Sequence, residues 1–456
     1  MLHNRCLTWI FLSLLLLGSV TTQGSEPALA KGETIHIYCG SLIDGIGNAA
    51  KQNQLVSITD GRITAVQPAD SKTQMSITPI DLEEYTCLPG LIDTHVHLDM
   101  YPEDADDYRI YLQRTPDDTR AIALDNARIT LEAGFTSIRH IGSYLAWVDK
   151  DTKASIESGA NPGPRMQVAG FYLTIPHGGG DLYIPGVDDA DVPAYYRMGV
   201  ARGPQAFREK TQALVDGGAE VIKIIASGAV FGFGGDVTEP EMTMDEIAAV
   251  VEVAHAAGLK VTAHAHGARS IKEAIRAGVD SIEHASLADD EAIALAAERQ
   301  VAFSMDVYNG DYTAEMGAIR NWPEEFMQKN EQTTEAQRIV FEKAIAAGVP
   351  ILYGTDAGVA PHGGNGRQFR IMVERGMTPM QAIKAATSVA AKHMEWQDDV
   401  GALATGRYGD LIAVKGDPLQ DITLLEDIDV VIKGGKLIVP KCAAQPLQEC
   451  LAAPAH

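Results

Sequence analysis

The sequence predicts an α/β protein whose main part is a (β/α)₈ barrel of the TIM type, joined to a small β-sandwich formed by both chain ends. The first observation behind this prediction is a repeated unit, in which an amphipathic helix is followed by a small-residue stop and a short apolar strand. Examples are EAGFTSI (132–138), AAGLKVTAH (256–264) and AAGVPILYGTD (346–356). Glycine ends a helix at little cost because it readily takes the left-handed conformation.

The second observation is the number of strands. Together with LPGLIDTHVHL (88–98) and GPRMQVAG (163–170), eight such strands lie between residues 84 and 398, and most of them alternate with helices. Strands that alternate with helices form parallel sheets, and eight of them close naturally into a barrel. A doubly wound open sheet is the alternative, which the lack of a GxGxxG motif after the first strand disfavours.

Both flanks of the barrel region have a different pattern. Residues 34–83 and 399–440 show apolar residues at every second position, separated by Gly and Asp turns. This pattern predicts antiparallel strands, and we expect the two flanks to pair into one composite β-sandwich followed by a tail at residues 441–456.

Several helices carry recognisable start signals. Thr243–Glu246, Ser270–Glu273 and Thr378–Gln381 each fit the capping-box pattern, in which two side chains satisfy the first free N–H groups of a helix. We therefore expect a helix to begin directly after Thr243, Ser270 and Thr378.

Residues 1–30 are predicted to be a secretory signal peptide. Arg5 precedes an apolar run at 7–20, and Ala28–Ala30 supplies a small-x-small cleavage signal. An uncleaved membrane anchor is the alternative, although the run is short for a membrane span. The mature protein is therefore expected to be exported, either to the periplasm or out of the cell.

Composition restricts the partners. The 456-residue chain has a formal net charge of −24, which argues against nucleic acid and anionic membranes. Cys39, Cys87, Cys442 and Cys450 follow the signal peptide without any CxxC spacing, so a zinc site built on sulfur is not expected. An oxidising compartment would permit a Cys442–Cys450 disulfide in the tail.

Ionisable residues collect at the predicted strand ends. In a (β/α)₈ barrel the loops at the carboxyl ends of the strands form the open functional face. Strands 1, 4, 5, 6 and 8 carry ionisable side chains there or nearby, namely His95, His97, Lys223, His264, His284 and Asp356. His95 and His97 point to the same side of their strand, which suits a shared metal ligand.

Lys223 lies among apolar neighbours in VIKII, where a cation is costly unless it is paired. One interpretation is an ion pair with a nearby acid. The other is a carbamate, formed when the deprotonated amine takes up CO₂, which could bridge two metal ions. The spacing of the other candidate ligands favours the carbamate.

These motifs resemble the amidohydrolase superfamily, and within it the imidazolonepropionase-like branch that includes metal-dependent Xaa-Pro dipeptidases and ochratoxin-type amidases. The resemblance runs from about residue 35 to 440 and rests on LPGLIDTHVHL, VIKIIASGAV, EVAHAAGLKVTAHAHG, SIEHAS and GVPILYGTDAGVAPHGGN. It implies a barrel with a composite β-sandwich.

The resemblance also implies the ligand set. His95, His97 and Asp356 would hold one divalent metal, usually zinc, and His264 and His284 the other. Carboxylated Lys223 and a hydroxide would bridge the two ions. Asp356 would act as the general acid and base. We expect His266 to face the other way if its strand continues, so its role stays open.

The substrate-binding residues are less well defined, because the chain departs from the family pattern near the barrel mouth. His140, for example, stands where many relatives have an acid. Four residues at predicted loop starts are candidates for binding the substrate, with solvated loops or packing as the alternative: His140, His177, Tyr308 and His362. Phe231 and Phe233 are candidates for an apolar substrate pocket, whereas His255 is expected to be structural.

The combined prediction is an exported binuclear-metal hydrolase of amide or peptide-like bonds. The expected substrate is a small molecule or dipeptide, so the enzyme would be a dipeptidase, a carboxypeptidase or an N-acyl amino acid amidase. The resemblance also implies a homo-oligomer. The alternatives are a cyclic-amide hydrolase or deaminase of the imidazolonepropionase type, and an inactive scaffold with the same fold.

Overall fold

The computed structural model describes residues 32–69 and 79–440. The predicted signal peptide and the tail with Cys442 and Cys450 lie outside the described residues. The strands are β1 Thr34–Leu42, β2 Lys51–Thr59, β3 Arg62–Pro68, β4 Ile80–Pro89, β5 Leu91–Val96, β6 Phe135–His140, β7 Arg165–Val168, β8 Val221–Ile225, β9 Lys260–Gly267, β10 Ser281–Leu287, β11 Ala302–Ser304, β12 Ile351–Leu352, β13 Leu411–Lys415, β14 Val430–Lys433 and β15 Lys436–Val439.

Helices follow or separate most of the central strands. They are α1 Ile110–Gln113, α2 Pro116–Glu132, α3 Val148–Glu157, α4 Pro204–Gly217, α5 Met244–Ala256, α6 Ala268–Ala277, α7 Asp290–Arg299, α8 Asn309–Arg320, α9 Glu324–Ala347, α10 Gln368–Glu374, α11 Pro379–Ala385 and α12 Ser388–His393. Within the described ranges, no helix has both the length and the apolar character needed to cross a membrane.

The eight central strands, β5 to β12, run parallel, as predicted. Strand pairing divides them between a three-stranded sheet, β5-β6-β7, and a five-stranded sheet, β12-β11-β10-β9-β8. Backbone hydrogen bonds cross both gaps: Asp356 N–H donates to the His95 carbonyl (2.8 Å), and Leu173 N–H donates to the Lys223 carbonyl (3.0 Å). The strand pairing does not by itself give one closed sheet, so the barrel remains a prediction at this level.

The two chain ends join in one sheet of seven strands, in the order β15-β14-β13-β4-β1-β2-β3. The junction is the antiparallel pair β4 and β13, in which Leu88 lies opposite Ile412. The predicted union of the two flanks is therefore present. The strand pairing shows a single layer, and the second layer of a sandwich stays a prediction.

A disulfide that the sequence analysis did not predict links Cys39 of β1 to Cys87 of β4. The two strands are parallel neighbours, and both cysteines are fully buried in the apolar core of this sheet.

Two of the three predicted helix starts are correct. Thr243 and Thr378 accept hydrogen bonds from the backbone N–H groups of Glu246 and Gln381, and the capping boxes are complete. The prediction for Ser270 is wrong, because Ser270 is buried within α6, which begins after Gly267 at the end of β9. The strand runs directly into the helix, so no residues remain for a polar cap.

Candidate metal centre

All six predicted ligands line one cavity at the carboxyl ends of the central strands. Its volume is about 110 Å³. Each ligand is at most 7% exposed, and the cavity includes His95, His97, Lys223, His264, His284 and Asp356. Strand alternation explains the direction of Lys223, because its neighbours Ile222 and Ile224 pack into the apolar core outside the strands.

Three of the predicted ligands converge on one point. Asp356 Oδ1 lies 3.2 Å from His95 Nε2 and 3.3 Å from His97 Nε2. His95 and His97 are two residues apart at the end of β5, so their rings reach the same side of the strand. This arrangement of two nitrogens and one carboxylate oxygen suits a divalent transition metal.

A second group lies directly beside the first. Ligand atoms of His264, His266 and His284 all lie within 4.8 Å of one another, and so do those of His95, His284 and Asp356. His284 therefore belongs to both groups, which makes the cavity suitable for two neighbouring cations.

His266 faces this cavity, so the expectation that it points the other way is wrong. Strand β9 continues through Gly267, and side chains two residues apart in a strand face the same side. The His266 ring stacks on His284 with centroids 4.7 Å apart, and its Nδ1 lies 2.9 Å from the Ser286 hydroxyl.

Two of the six predicted ligands have left-handed backbone conformations. His284 has φ +68° and Asp356 has φ +56°. Non-glycine residues rarely adopt this region, which costs of the order of 1 kcal/mol or more and persists where the surrounding structure fixes it, typically at functional sites.

Lys223 is 2% exposed, and its amine forms no hydrogen bond or ion pair with any residue that the structure describes. Burial lowers the pKa of Lys223 to about 8, although the Glu283 and Asp356 carboxylates act in the opposite direction. The predicted alternative of a direct ion pair with an acid is therefore absent from the described part of the chain.

The electrostatic surroundings of the histidines differ. Burial, together with neighbouring His284 and His266, lowers the pKa of His264 well below its ordinary value, so its ring is neutral and has a lone pair to offer. Burial also opposes the charged form of His95, but Asp356 and Glu283 outweigh it and raise the pKa of His95 to about 9. The same negative charge would stabilise a metal cation there.

Sequence reasoning missed two carboxylates behind the histidines. Glu283 Oε2 lies 2.9 Å from His95 Nδ1, and Asp306 Oδ1 lies 2.9 Å from His284 Nδ1. Glu283 directly precedes His284 in SIEHAS, and Asp306 follows strand β11. The position of Asp306 just after a strand was the one available signal.

The four predicted substrate contacts all lie outside the residues that line the cavity. His140 is fully buried behind His97, and its Nε2 lies 3.4 Å from Asp99 Oδ1. His362 donates from Nε2 to the His97 carbonyl (3.1 Å) and thus supports the backbone of a ligand.

The other two contact residues that are not predicted ligands. His177 is about half exposed and lies 3.0 Å from Asp189. The Tyr308 hydroxyl accepts a hydrogen bond from Arg367 Nη1 (2.9 Å). A substrate-binding role for any of the four stays a prediction.

The cavity has two chemically different walls. One is aromatic or apolar, with Tyr108, Tyr144, Tyr172 and Phe231, and the other is uncharged and polar, with Asn309, Thr313, Asn330 and Thr334. Phe231 lines the cavity as expected, whereas Phe233 packs against Tyr108 and Phe326. Among the described lining residues, Lys223 is the only lysine or arginine.

The model of the Amidohydrolase family matches residues 86–438 of this chain. Ochratoxinase of Aspergillus niger is 31% identical over 427 residues, which cover 88% of this chain and 86% of the relative. The crystal structure of a Xaa-Pro dipeptidase with bound methionine in the active site has 34% identity and a TM-score of 0.81, and the match covers 89% of this chain and 99% of that one. Imidazolonepropionase of Symbiobacterium thermophilum is 24% identical over 416 residues, 83% of this chain and 88% of the relative. The chain therefore belongs to the amidohydrolase family and is a hydrolase that acts on carbon–nitrogen bonds.

Proposed function

We propose that this amidohydrolase is an exported, binuclear metal enzyme that cleaves the amide bond of a dipeptide or an N-acyl amino acid. The observation that carries the proposal is the convergence of the six predicted ligands in one cavity. Five side chains there form two overlapping groups of metal-binding atoms, namely His95, His264, His266, His284 and Asp356. Its relatives include proteins named ochratoxinase and Xaa-Pro dipeptidase, both of which point to amide substrates.

The residues fit two divalent cations. His95, His97 and Asp356 would hold one ion, and His264 and His284 the other, with carboxylated Lys223 between them. Nitrogen and oxygen donors suit zinc. When bound, such ions lower the pKa of water to near neutrality and polarise an amide carbonyl.

Lys223 suits the carbamate because its amine is buried, unpaired among the described residues and easier to deprotonate than an ordinary lysine. Uptake of CO₂ forms one N–C bond and releases one proton. The product is an anion, which is better suited than an ammonium group to a site that collects cations.

We assign the proton transfers of the hydrolysis to Asp356. Its Oδ1 faces His95 and His97, while Oδ2 accepts a hydrogen bond from Asn309 Nδ2 (3.3 Å). Asp356 would accept a proton from the attacking water and pass it to the departing amine. The aromatic wall would hold the apolar part of the substrate and exclude bulk water.

Two features support export. The signal-peptide pattern of residues 1–30 is one of them. The Cys39–Cys87 disulfide is the second, because structural disulfides persist in oxidising compartments.

The experiment is metal analysis of the purified full chain, combined with a substrate screen. We expect two divalent ions per chain and hydrolysis of N-acyl amino acids or Xaa-Pro dipeptides in preference to cyclic amides. A preference for cyclic amides would instead indicate an enzyme of the imidazolonepropionase type. A protein without a divalent ion or hydrolytic activity would refute the proposal.

The carbamate needs its own test, with a matched control. Lys223→Met should lose metal and activity, and the ¹³C signal that wild-type protein acquires from ¹³C-bicarbonate should disappear. Lys433 is partly buried, with its pKa lowered to about 8 by burial, but it lies in β14 and donates to the Gly163 carbonyl. Lys433→Met should keep metal, signal and activity; full metal content in Lys223→Met would refute the carbamate.

A further inference from the structure

We propose that each cation site has its own positioning carboxylate: Glu283 orients His95, and Asp306 orients His284, so that the two sites are tuned separately. The inference rests on the proposed two-metal function. It assigns roles to two buried residues that the proposed reaction does not use.

Glu283 lies at the centre of a buried cluster that joins several central strands. Its Oε2 lies 2.9 Å from His95 Nδ1, while Oε1 accepts hydrogen bonds from Arg139 Nη2 (2.7 Å) and from the Thr262 hydroxyl. The two atoms are at ion-pair distance without the alignment of a hydrogen bond, and the negative charge beside Nδ1 favours the ring proton on that nitrogen. The His95 Nε2 lone pair is then directed towards Asp356, 3.2 Å away.

The backbone explains how Glu283 and His284 both reach the inner side of the central strands although they are consecutive in β10. In a regular strand, consecutive side chains face opposite sides. The left-handed conformation of His284 (φ +68°) interrupts this alternation.

Asp306 has the same relation to His284. Its Oδ1 lies 2.9 Å from His284 Nδ1 and accepts a hydrogen bond from Gln337 Nε2 (2.8 Å). Its Oδ2 accepts from Asn309 Nδ2 (3.3 Å). Both donors are neutral amides, so Asp306 keeps its full negative charge.

The two carboxylates therefore differ in one respect. The charge of Glu283 is balanced by Arg139, which is itself fully buried. No positively charged side chain among its described hydrogen-bond donors balances the charge of Asp306, so this charge attracts His284 and a bound cation more strongly. Loss of such an outer partner typically weakens metal binding 10- to 100-fold.

The test measures zinc affinity by chelator competition in full-length proteins that keep one site each. His264→Ala removes a ligand of the second site, and His97→Ala removes a ligand of the first. In the His264→Ala background we expect Glu283→Gln to weaken zinc binding about 10- to 100-fold and Asp306→Asn to weaken it clearly less, because His284 also lies beside the first site. In the His97→Ala background the two effects should be exchanged.

Glu283→Gln leaves Arg139 without its anion, so the double variant Glu283→Gln/Arg139→Met is measured beside it. Asp410→Asn is the matched control, because Asp410 is a buried carboxylate paired with Arg165 (3.0 and 3.1 Å) outside the cavity. This control should retain the zinc affinity of its background.

Two results would overturn the inference. One is equal weakening by Glu283→Gln and Asp306→Asn in both backgrounds, and the other is no weakening by either, while wild-type protein still binds two ions. A wild-type protein that binds no zinc would instead refute the proposed function itself.

Discussion

Replacing Glu241 by glutamine should have an effect on stability that depends on pH: the free energy of unfolding of the variant relative to wild type should be larger at alkaline than at acid pH. Both carboxylate oxygens of Glu241 accept hydrogen bonds from the backbone N–H of Gly179, at 2.9 and 3.2 Å. Burial raises the pKa of Glu241 to about 7, although Gly179, Lys329 and Arg202 lower it. Since Gly179 lines the cavity, the Glu241 carboxyl group stabilises the position of a loop of the candidate site.

The size and sign of the effect follow from the pKa difference. The pKa of Glu241 rises from its ordinary 4.5, which applies to the unfolded chain, to about 7 in the folded protein. Between these values the folded state holds one proton more than the unfolded state, so the free energy of unfolding falls by about 1.4 kcal/mol per pH unit. The total loss is about 3 kcal/mol by pH 8, and glutamine, which does not titrate, removes it.

The assay is urea unfolding of wild type and Glu241→Gln at pH 4.5 and pH 8. The variant-minus-wild-type free energy of unfolding should become more favourable to the variant by about 3 kcal/mol at the higher pH. This double difference cancels any constant effect of the amide. A difference that is independent of pH, or that changes in the opposite sense, would refute the reasoning.

Glu246 provides a control of opposite sign. Burial raises the pKa of Glu246, but hydrogen bonds from the backbone of Thr243 (2.8 Å) and Gly203 (2.7 Å) outweigh burial and lower it. Its contribution to stability is present above the unfolded pKa and lost as the pH falls through the lower folded value. Glu246→Gln should therefore lose more stability at neutral pH than in acid.

Three further predictions concern the site and its support. Chelation should lower the melting temperature of protein purified with metal, because an ion at 1,000 times its dissociation constant stabilises the fold by about 4 kcal/mol. Gly358→Ala should lower the metal content, since its Cβ would lie 2.6 Å from the His97 carbonyl oxygen. Gly186→Ala is the control: its Cβ would have no neighbour within 4 Å among the described residues, so it should cost only about 1–2 kcal/mol of backbone strain. Cys39→Ala/Cys87→Ala should destabilise the protein by about 4 kcal/mol, given a 48-residue loop, as measured by urea unfolding without reductant.

The candidate ligands could be found from the sequence because one rule predicts their positions. Functional side chains in a barrel collect at the carboxyl ends of its strands, and strand position can be found from local helix stops and apolar runs. His95, Lys223 and Asp356 needed no knowledge of which strand neighbours which. The cavity contains all of them.

The supporting residues were not predictable in this way. In the sequence, Glu283 is an ordinary strand residue. Its role depends on Arg139, 144 positions earlier in the chain, whose Nη2 lies 2.7 Å from Glu283 Oε1. The role of Asp306 becomes clear only from its contacts with His284 and with Gln337 of α9. Such contacts depend on three-dimensional packing, about which the local pattern of apolar residues contains no information.

The positions of His140 and His177 show a related limit. Both follow the rule for strand ends and loop starts, yet His140 turns into a buried polar cluster and His177 out to the surface. His140 is the last residue of β6, so its direction is that of a strand residue, whereas His177 lies in a loop, which has no fixed side-chain period. The direction of a loop residue therefore depends on tertiary contacts.

The disulfide connects the fold to the proposed location. Cys39 and Cys87 are fully buried on neighbouring strands of the sheet that joins both chain ends. Buried thiols at such a position would be inert in a reducing compartment, and the sheet would depend on its apolar core alone. In an oxidising compartment they form a cross-link that restricts the unfolded chain. The cysteines and the signal-peptide pattern are separate features, in different parts of the chain, and both favour export. A thiol assay on denatured, unreduced protein tests the first of them, because labelling of Cys39 and Cys87 under these conditions would remove that support and leave the metal site unaffected.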